Sequence, residues 1–299
     1  MPHASIVPAP PEAGAYLPLH CDDEEIIVGL VADAETSQAL AKHFIQAEES
    51  ETLSPEDMAD SVKEIINVAA GLLKTETAKQ NRPLKLGLPF FLEGKLKPIG
   101  SQEIAGSDIV IGGYHVRLQV LRNHPRVLDL IKAPEGKEAA ARSPQEWLSE
   151  ALTAAFRFTV STLKVEKYQV KKIMRTFTGE AIAGAYIPMI GEDDSVLLGL
   201  LTDETGLREI ARGFLQLPES ETLDSELMMD AIKEVLNVLS GMIKTQLFKP
   251  NTPYLTNLPF FVDGYIEVTD KQDASAALIE IGKVQTYIVI IKQKSEVAG

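Results

Sequence analysis

The chain has 299 residues, 45% of them hydrophobic, which is enough for two globular domains with sizeable cores. It carries 43 Asp and Glu against 29 Lys and Arg, and this net charge of -14 argues against nucleic acid and anionic membranes as partners. Its one cysteine, Cys21, excludes an intramolecular disulfide, and its apolar runs are far shorter than a bilayer span. We therefore expect a cytoplasmic protein without a membrane segment.

The N-terminal part predicts a disordered lead, two strands and a helix. Residues 1–13 contain four prolines and little that could pack, so we expect them to be disordered. Residues 14–20 and 25–33 have the alternation of a strand hairpin, and a helix is expected over 34–46. Asp33 precedes this helix and could be taken as catalytic, but its position favours an N-cap.

A long amphipathic helix is predicted to begin after Ser54 and to end before Asn81 and Pro83. At 100° per residue, its polar residues share one narrow arc and its apolar residues lie on the opposite side. The polar residues are Asp60, Glu64, Asn67, Gly71 and Lys74. The apolar residues are Met58, Val62, Ile65, Ile66, Ala69 and Leu73. We expect the apolar face to be buried and the polar face to look outward.

Beyond this helix, a strand is predicted over 86–92, and a hairpin over 109–119 with its turn at Gly112-Gly113. Residues 123–142 have the composition of a linker. Ser143 and Pro144 then open an amphipathic helix that has no counterpart earlier in the chain. Either the two halves of the chain share this helix, or a partner completes the first half.

The chain repeats itself at a constant offset of 170 residues, so that residues 14–122 and 143–299 form two copies of one β-β-α-α-β-β-β unit. Between 49 and 94 the copies agree at 23 of 46 positions. The polar helix positions recur as Asp230, Glu234, Asn237, Gly241 and Lys244, and Leu88-Pro89-Phe90-Phe91 recurs as 258–261. Buried positions have changed while these polar ones have not, which indicates a function for the polar face.

Gly71 and Gly241 lie on this polar face, although a glycine inside a helix costs about 1 kcal/mol relative to alanine. Two explanations remain open. Another macromolecule could approach the helix closely there, or the second helix of the same protein could pack against it.

Asparagine and glutamate one turn apart are suited to positioning a substrate. A carboxamide is neither a base nor a nucleophile at neutral pH, but it can hold a water in line with an electrophile, and phosphoryl transfer needs little more. The glutamate could pair with a cation on the substrate. The sequence contains no phosphate-binding loop, no nucleophile elbow and no convincing metal-ligand set, so any Mg²⁺ would come with the substrate.

The pattern Asp60-x3-Glu64-x2-Asn67-x3-Gly71, followed by Pro89, resembles the active-site signature of the CheC/CheX/FliY family of chemotaxis phosphatases, and CheX most of all. Its duplicate at Asp230, Glu234, Asn237, Gly241 and Pro259 resembles it equally. The resemblance implies an α+β fold of two CheX-like repeats. Each would be an antiparallel-rich sheet packed against the signature helix, and the second would have its own N-terminal helix from 143.

The resemblance further implies hydrolysis of the phospho-aspartate of a CheY-like response regulator. Asn67 and Asn237 would hold the attacking water, and Glu64 and Glu234 would contact the active-site lysine of the receiver domain. Asp60, Gly71, Asp230 and Gly241 would contact this partner, which would supply Mg²⁺, so the chain would need no cofactor of its own. The two repeats could form a pseudo-dimer within one chain.

Two alternatives remain at this stage. The same face could bind a receiver or a flagellar-switch partner without hydrolysis, although a binder would be expected to have lost Glu or Asn in one copy. A purely structural duplicated domain would leave both glycines unexplained unless internal packing requires them.

Overall fold

The structure is a computed structural model, and it describes residues 12–21, 24–48, 50–80, 82–99, 102–123, 142–177, 182–191, 194–218, 220–247 and 254–294. The expected disordered lead lies outside the described residues as far as residue 11, and most of the expected linker, 124–141, also lies outside them. Ala13, which we had included in the lead, is the first residue of a strand.

The first repeat follows the predicted order, with one strand divided in two. Its elements are β1 (Ala13–Cys21), β2 (Glu24–Ala32), α1 (Ala34–Ile45), α2 (Pro55–Lys79), β3 (Leu84–Leu86), β4 (Phe90–Lys97), β5 (Gln102–Ile111) and β6 (Tyr114–Asn123). The strand predicted over 86–92 is interrupted because Pro89 has no N–H to donate and Gly87 packs against Pro18, where a Cβ would approach to 2.9 Å. The hairpin turns at Gly112-Gly113 as predicted, but its strands are longer than expected.

The second repeat adds a helix and a strand before the same unit. Its elements are α3 (Pro144–Ser161), β7 (Tyr168–Met174), β8 (Gly184–Ile190), β9 (Ser195–Leu201), α4 (Glu204–Leu215), α5 (Ser225–Leu247), β10 (Leu255–Thr256), β11 (Phe260–Glu267), β12 (Gln272–Ile281) and β13 (Val284–Gln293). We did not predict β7. Its residues are mostly exposed at the edge of the sheet, so its sequence lacks the apolar alternation of a half-buried strand.

Side-chain caps begin the helices where the sequence predicts them. Asp33 accepts a hydrogen bond from the backbone N–H of Thr36 at 2.7 Å, and Asp203 accepts one from Gly206 at 2.7 Å. Both aspartates are therefore N-caps, which confirms that interpretation over a catalytic one. Ser54 caps α2 in the same way.

The two repeats form one antiparallel sheet. Within the described residues its order is β5-β6-β2-β1-β4-β11-β8-β9-β13-β12-β7, with β3 paired to β1 and β10 paired to β8. The repeats join where β4 pairs with β11, which gives the sheet an approximate twofold symmetry centred on Gly94 and Gly264. The predicted α+β fold of two repeats, each with an antiparallel sheet packed against a long signature helix, is confirmed.

Glycine is required on both sides of this junction. Gly94 and Gly264 have φ values of +132° and +147°, which side chains other than glycine rarely adopt. A Cβ on Gly94 would lie 2.2 Å from the carbonyl oxygen of Asp263, and one on Gly264 would lie 2.0 Å from that of Glu93. The backbones of the two repeats therefore touch at a point that leaves no room for a side chain.

Consecutive residues of the central strands face different cores. Phe91 packs with the helices of the first repeat, whereas Phe90 joins a core that takes side chains from both repeats. In this shared core, Tyr16 stacks on Phe90, Phe90 on Phe260 and Phe260 on Tyr186, with ring centroids 5.5, 4.8 and 5.9 Å apart. An aromatic stack thus crosses the junction on the side of the sheet away from the helices.

The second repeat is covered by α3, and no described helix covers the first repeat in the same way. Helix α3 packs on α5, β12 and β13, so the two repeats do not share it. Ile243 of α5 is 1% exposed, whereas its counterpart Leu73 is 45% exposed and Leu72 is 68% exposed. Our expectation that the whole apolar stripe of α2 is buried is therefore wrong for Ala69 and Leu73, which no helix in the described part of the chain covers.

Replacing Gly94 with alanine is expected to destabilise the junction between the repeats. The Cβ would collide with the Asp263 carbonyl and the backbone would be strained, so we expect the free energy of unfolding to fall by about 2–4 kcal/mol. Urea denaturation measures this change. Gly106→Ala in β5 is the matched control, because its Cβ would meet only ordinary contacts at 3.6 Å. Equal stability of the two variants would contradict a close-packed junction.

Candidate functional site

Glu64 and Asn67 lie together on the outward side of α2, and Glu234 and Asn237 lie in the same way on α5. In each pair the asparagine Nδ2 faces a glutamate carboxylate oxygen, at 3.5 Å in the first repeat and 3.0 Å in the second. Both glutamates are exposed and both asparagines are partly exposed. Each amide is thus oriented by its neighbouring carboxylate, while its oxygen can still accept a hydrogen bond.

A cleft of approximately 370 Å³ opens beside the first pair and is lined by residues of both repeats. The first repeat contributes Asp60, Lys63, Glu64 and Asn67 from α2, and residues 86–89 from the segment before β4. The second repeat contributes Asp194, Ser195, Lys271 and Gln293. The pair of predicted catalytic residues therefore lies at an interface between repeats.

Asp60 departs from its predicted exposure, because it is 9% exposed and lies under the β11–β12 turn of the second repeat. One of its carboxylate oxygens lies 2.8 Å from Lys63 Nζ, and the other lies 3.5 Å from Lys271 Nζ. Lys63 Nζ also donates to Thr269 Oγ1 at 2.6 Å. The structure thus places Asp60 in a contact between the repeats rather than on the open face, whereas its counterpart Asp230 is partly exposed.

The charged groups in this contact change each other's pKa values. Burial raises the pKa of Asp60. Hydrogen bonds with Lys63 and Thr269 and the charges of Lys63 and Lys271 lower it by more, so the net pKa lies below its ordinary value. Burial lowers the pKa of Lys63, and the nearby Asp60 offsets only part of that shift. Asp60 therefore remains ionised at neutral pH and holds two cations of different repeats together.

Pro89 and Pro259, the prolines that follow the signature helices α2 and α5, take part in a reciprocal contact between the repeats. Gln272 Nε2 donates to the carbonyl of Pro89 at 3.0 Å, and Gln102 Nε2 donates to the carbonyl of Pro259 at 2.7 Å. Gln272 thus holds the segment between α2 and β4 of the first repeat, and Gln102 holds the segment between α5 and β11 of the second repeat. Our sequence interpretation missed these glutamines, although their recurrence at the offset of 170 residues was a usable signal.

Gly71 and Gly241 face open space. A Cβ built on either residue would meet no described atom within 4 Å. Packing against another part of the described chain therefore does not explain these glycines. The explanation by packing against a second helix finds no support in the described residues, and close approach of another molecule stays a prediction.

Glu25 of the first repeat differs in charge from Ser195, its counterpart in the second repeat. Glu25 of β2 is largely buried, and the charges of Lys233 and Lys244 on α5 act on its carboxylate. Burial raises the pKa of Glu25 to about 7, although the two lysines oppose the shift. The residue 170 positions later is Ser195, which lines the first cleft, so the two sites differ in charge at this position.

Comparison with known proteins connects this geometry to a family. Residues 21–109 match the family model described as chemotaxis phosphatase CheX. The resemblance to the CheC/CheX/FliY family that the repeated motif predicts is therefore confirmed, and the first repeat carries the matched region. No curated protein matches the chain.

Several solved structures are similar to about half of this chain. Chemotaxis protein CheX from Vibrio vulnificus has 16% identity over 50% of this chain and 99% of its own, with a TM-score of 0.42. A CheX–CheY–BeF3–Mg complex from Borrelia burgdorferi has 16% identity over 51% and 99%, with a TM-score of 0.40. FliY from Thermotoga maritima has 16% identity over 53% and 94%, with a TM-score of 0.36. At these values the neighbours add no argument about activity.

The described part of the chain has neither a membrane-spanning helix nor a metal-binding cluster. No described helix is long and apolar enough to cross a membrane. The same residues include no group of three or more His, Cys, Asp or Glu side chains arranged to hold a metal ion. The expectation that Mg²⁺ comes from the partner stays a prediction.

Replacing Glu25 with glutamine is expected to change how stability depends on pH. A carboxyl whose pKa is raised in the folded state stabilises the fold below its ordinary pKa of 4.5, and this contribution is lost as the pH rises through about 7. Glutamine cannot ionise, so above pH 8 the variant should be more stable than the unmodified protein, by about 2 kcal/mol.

Urea denaturation between pH 4 and pH 9 tests this expectation. Glu24→Gln is the matched control, because Glu24 lies on the same strand with its side chain exposed. Parallel stability profiles for Glu25→Gln and the unmodified protein would show that Glu25 has an ordinary pKa.

Proposed function

We propose that the chain is a phosphatase that hydrolyses the phospho-aspartate of a CheY-like response regulator. The observation that carries the proposal is the paired Glu and Asn on each signature helix, hydrogen-bonded to each other and exposed beside a glycine that faces open space. The CheX family match over residues 21–109 supports the same activity.

In this proposal the carboxamides of Asn67 and Asn237 each hold a water in line with the phosphorus of the acyl phosphate. The water oxygen forms a bond to phosphorus while the bond from phosphorus to the aspartate oxygen breaks, which yields inorganic phosphate and free aspartate. Glu64 and Glu234 contact the receiver's active-site lysine, a charge-assisted contact that orients the two proteins. The receiver supplies Mg²⁺, which neutralises the phosphoryl charge.

The structure around each Glu and Asn pair suits contact with a receiver domain. Each signature helix packs on the sheet through buried apolar residues, and a glutamine of the other repeat holds the segment that leads into the central strand of the same repeat. Pre-organised side chains lower the cost of positioning a water, which is the main task in phosphoryl transfer. Gly71 and Gly241 let the partner's backbone approach within one turn of the asparagine.

Replacing both Asn67 and Asn237 with alanine is expected to abolish acceleration of dephosphorylation. Loss of the group that positions the water should lower the catalysed rate by roughly 100-fold or more. Phosphate release from phosphorylated CheY-like receivers measures this rate. The fold should be unaffected, because both side chains are partly exposed and bond only locally.

Gln80→Ala is the control for that experiment, because it removes an exposed amide at the end of α2. Each single asparagine substitution reports whether both sites work. An intact protein that binds receivers but never speeds phosphate release would instead identify a non-catalytic binding module.

Replacing Gly71 with glutamine is expected to raise stability while lowering activity at the first site. Glutamine is a better helix former than glycine by up to about 1 kcal/mol, and its side chain would enter open space. The same side chain would obstruct a partner that approaches the helix there. Urea denaturation and phosphate release, measured in an Asn237→Ala background, give the two values.

Ala69→Gln is the matched control, since it adds a side chain of the same size to an exposed position on another side of α2. If both substitutions leave activity unchanged, the glycine does not mark the contact with the partner.

A further inference from the structure

Each candidate site borrows residues from the opposite repeat, and the borrowed residues differ in charge. At the first site, Lys271 and Ser195 of the second repeat line the cleft that contains Glu64 and Asn67. The residues of the first repeat that correspond to Lys271 and Ser195, 170 positions earlier in the sequence, are Ser101 and Glu25. The signature residues themselves are identical in the two sites, so the difference comes entirely from the partner repeat.

Lys271 is placed to contact a ligand in the first cleft. Its side chain is 58% exposed, and its Nζ lies 3.5 Å from a carboxylate oxygen of Asp60, at the edge of the cleft. Asp60 is closer to the buried Lys63, at 2.8 Å, so Lys271 is the more distant of its two partners. The ammonium of Lys271 therefore keeps free directions for an anionic partner group.

The turn that carries Lys271 is fixed against the first repeat. Thr269, two residues earlier, accepts a hydrogen bond from Lys63, and Gln272, the next residue, donates to the Pro89 carbonyl. These contacts hold the Lys271 backbone beside α2, although the lysine belongs to the other repeat. In the sequence, the residue 170 positions earlier is Ser101, which lies outside the described residues, so the chain provides this lysine only once.

We propose that Lys271, supplied by the second repeat, binds the phosphoryl group of the partner at the first site, and that this site prefers a phosphorylated partner more strongly than the second site does. The proposal rests on the proposed function. A phosphoryl group carries about 1.5 to 2 negative charges at neutral pH, and an ammonium at hydrogen-bond distance stabilises it directly. At the position that corresponds to Lys271, 170 residues earlier in the sequence, the first repeat has Ser101, which offers no ammonium to the second site.

The test uses the full chain with the second site disabled by Glu234→Ala and Asn237→Ala. Fluorescence titration measures the affinity for a panel of CheY-like receiver domains, each with and without beryllofluoride and Mg²⁺ as a phosphoryl mimic. In this background, Lys271→Ser is expected to weaken binding of the loaded receiver by roughly 10-fold and of the unloaded receiver far less. The preference for the loaded form should also fall with added salt.

Two further variants make the test specific. Ser195→Glu gives the first cleft the carboxylate found near the second site and should lower the same preference without removing Lys271. Lys283→Ser is the matched control, because Lys283 is an exposed lysine at the opposite end of β12 and should leave both affinities unchanged. Lys271→Arg keeps the charge and should retain most of the preference.

The outcomes separate the two proposals. Equal weakening for loaded and unloaded receivers in Lys271→Ser would show that the lysine only supports the structure through Asp60, and an unchanged preference would show that it plays no part. Either result overturns the role of Lys271 while leaving the phosphatase proposal intact. If the intact protein binds no receiver at all, the proposed function fails first and the role of Lys271 fails with it.

Discussion

The pairing of β4 with β11 is the contact on which the other features of this structure depend. It merges two sheets into one, and it brings the backbones so close at Gly94 and Gly264 that neither position can carry a side chain. Once these strands are joined, the β4–β5 and β11–β12 turns must reach across to the opposite repeat. The contacts of Gln102 and Gln272 with the prolines, and the burial of Asp60, follow from this geometry.

The sequence predicts those parts of the fold in which local pattern and burial agree. The capped helices, the glycine turn at Gly112-Gly113 and the order of the common elements follow from apolar periodicity and turn chemistry. Strand β7 could not be found in this way, because an exposed edge strand needs no apolar alternation. Burial of Asp60 could not be predicted either, because helical periodicity describes a single helix. It contains no information about the β11–β12 turn of the other repeat, which packs over Asp60.

Some residues of the candidate site could be predicted from the sequence, and others could not. Glu64 and Asn67 were recognised because their spacing is local, recurs in the second repeat and matches a known motif. Lys271 and Ser195 lie more than a hundred residues away in sequence, and only the joined sheet brings them to the same cleft. The recurrence of Gln102 as Gln272 was visible in the sequence, but its meaning required knowing which strands pair. Residues that act across repeats are therefore the ones that pattern alone leaves out.

Fusing two repeats into one chain removes a constraint that a symmetric dimer would impose. In a dimer of identical subunits, any change near one site appears at both, because the interface is the same surface on each subunit. Here Lys271 and Ser195 line the first cleft, whereas Ser101 and Glu25 stand at the corresponding positions of the first repeat. Helix α3 covers α5, whereas Leu72 and Leu73 of α2 are exposed. Conserved signature residues with divergent surroundings are the arrangement expected when two sites keep one chemistry but bind their partner with different strength.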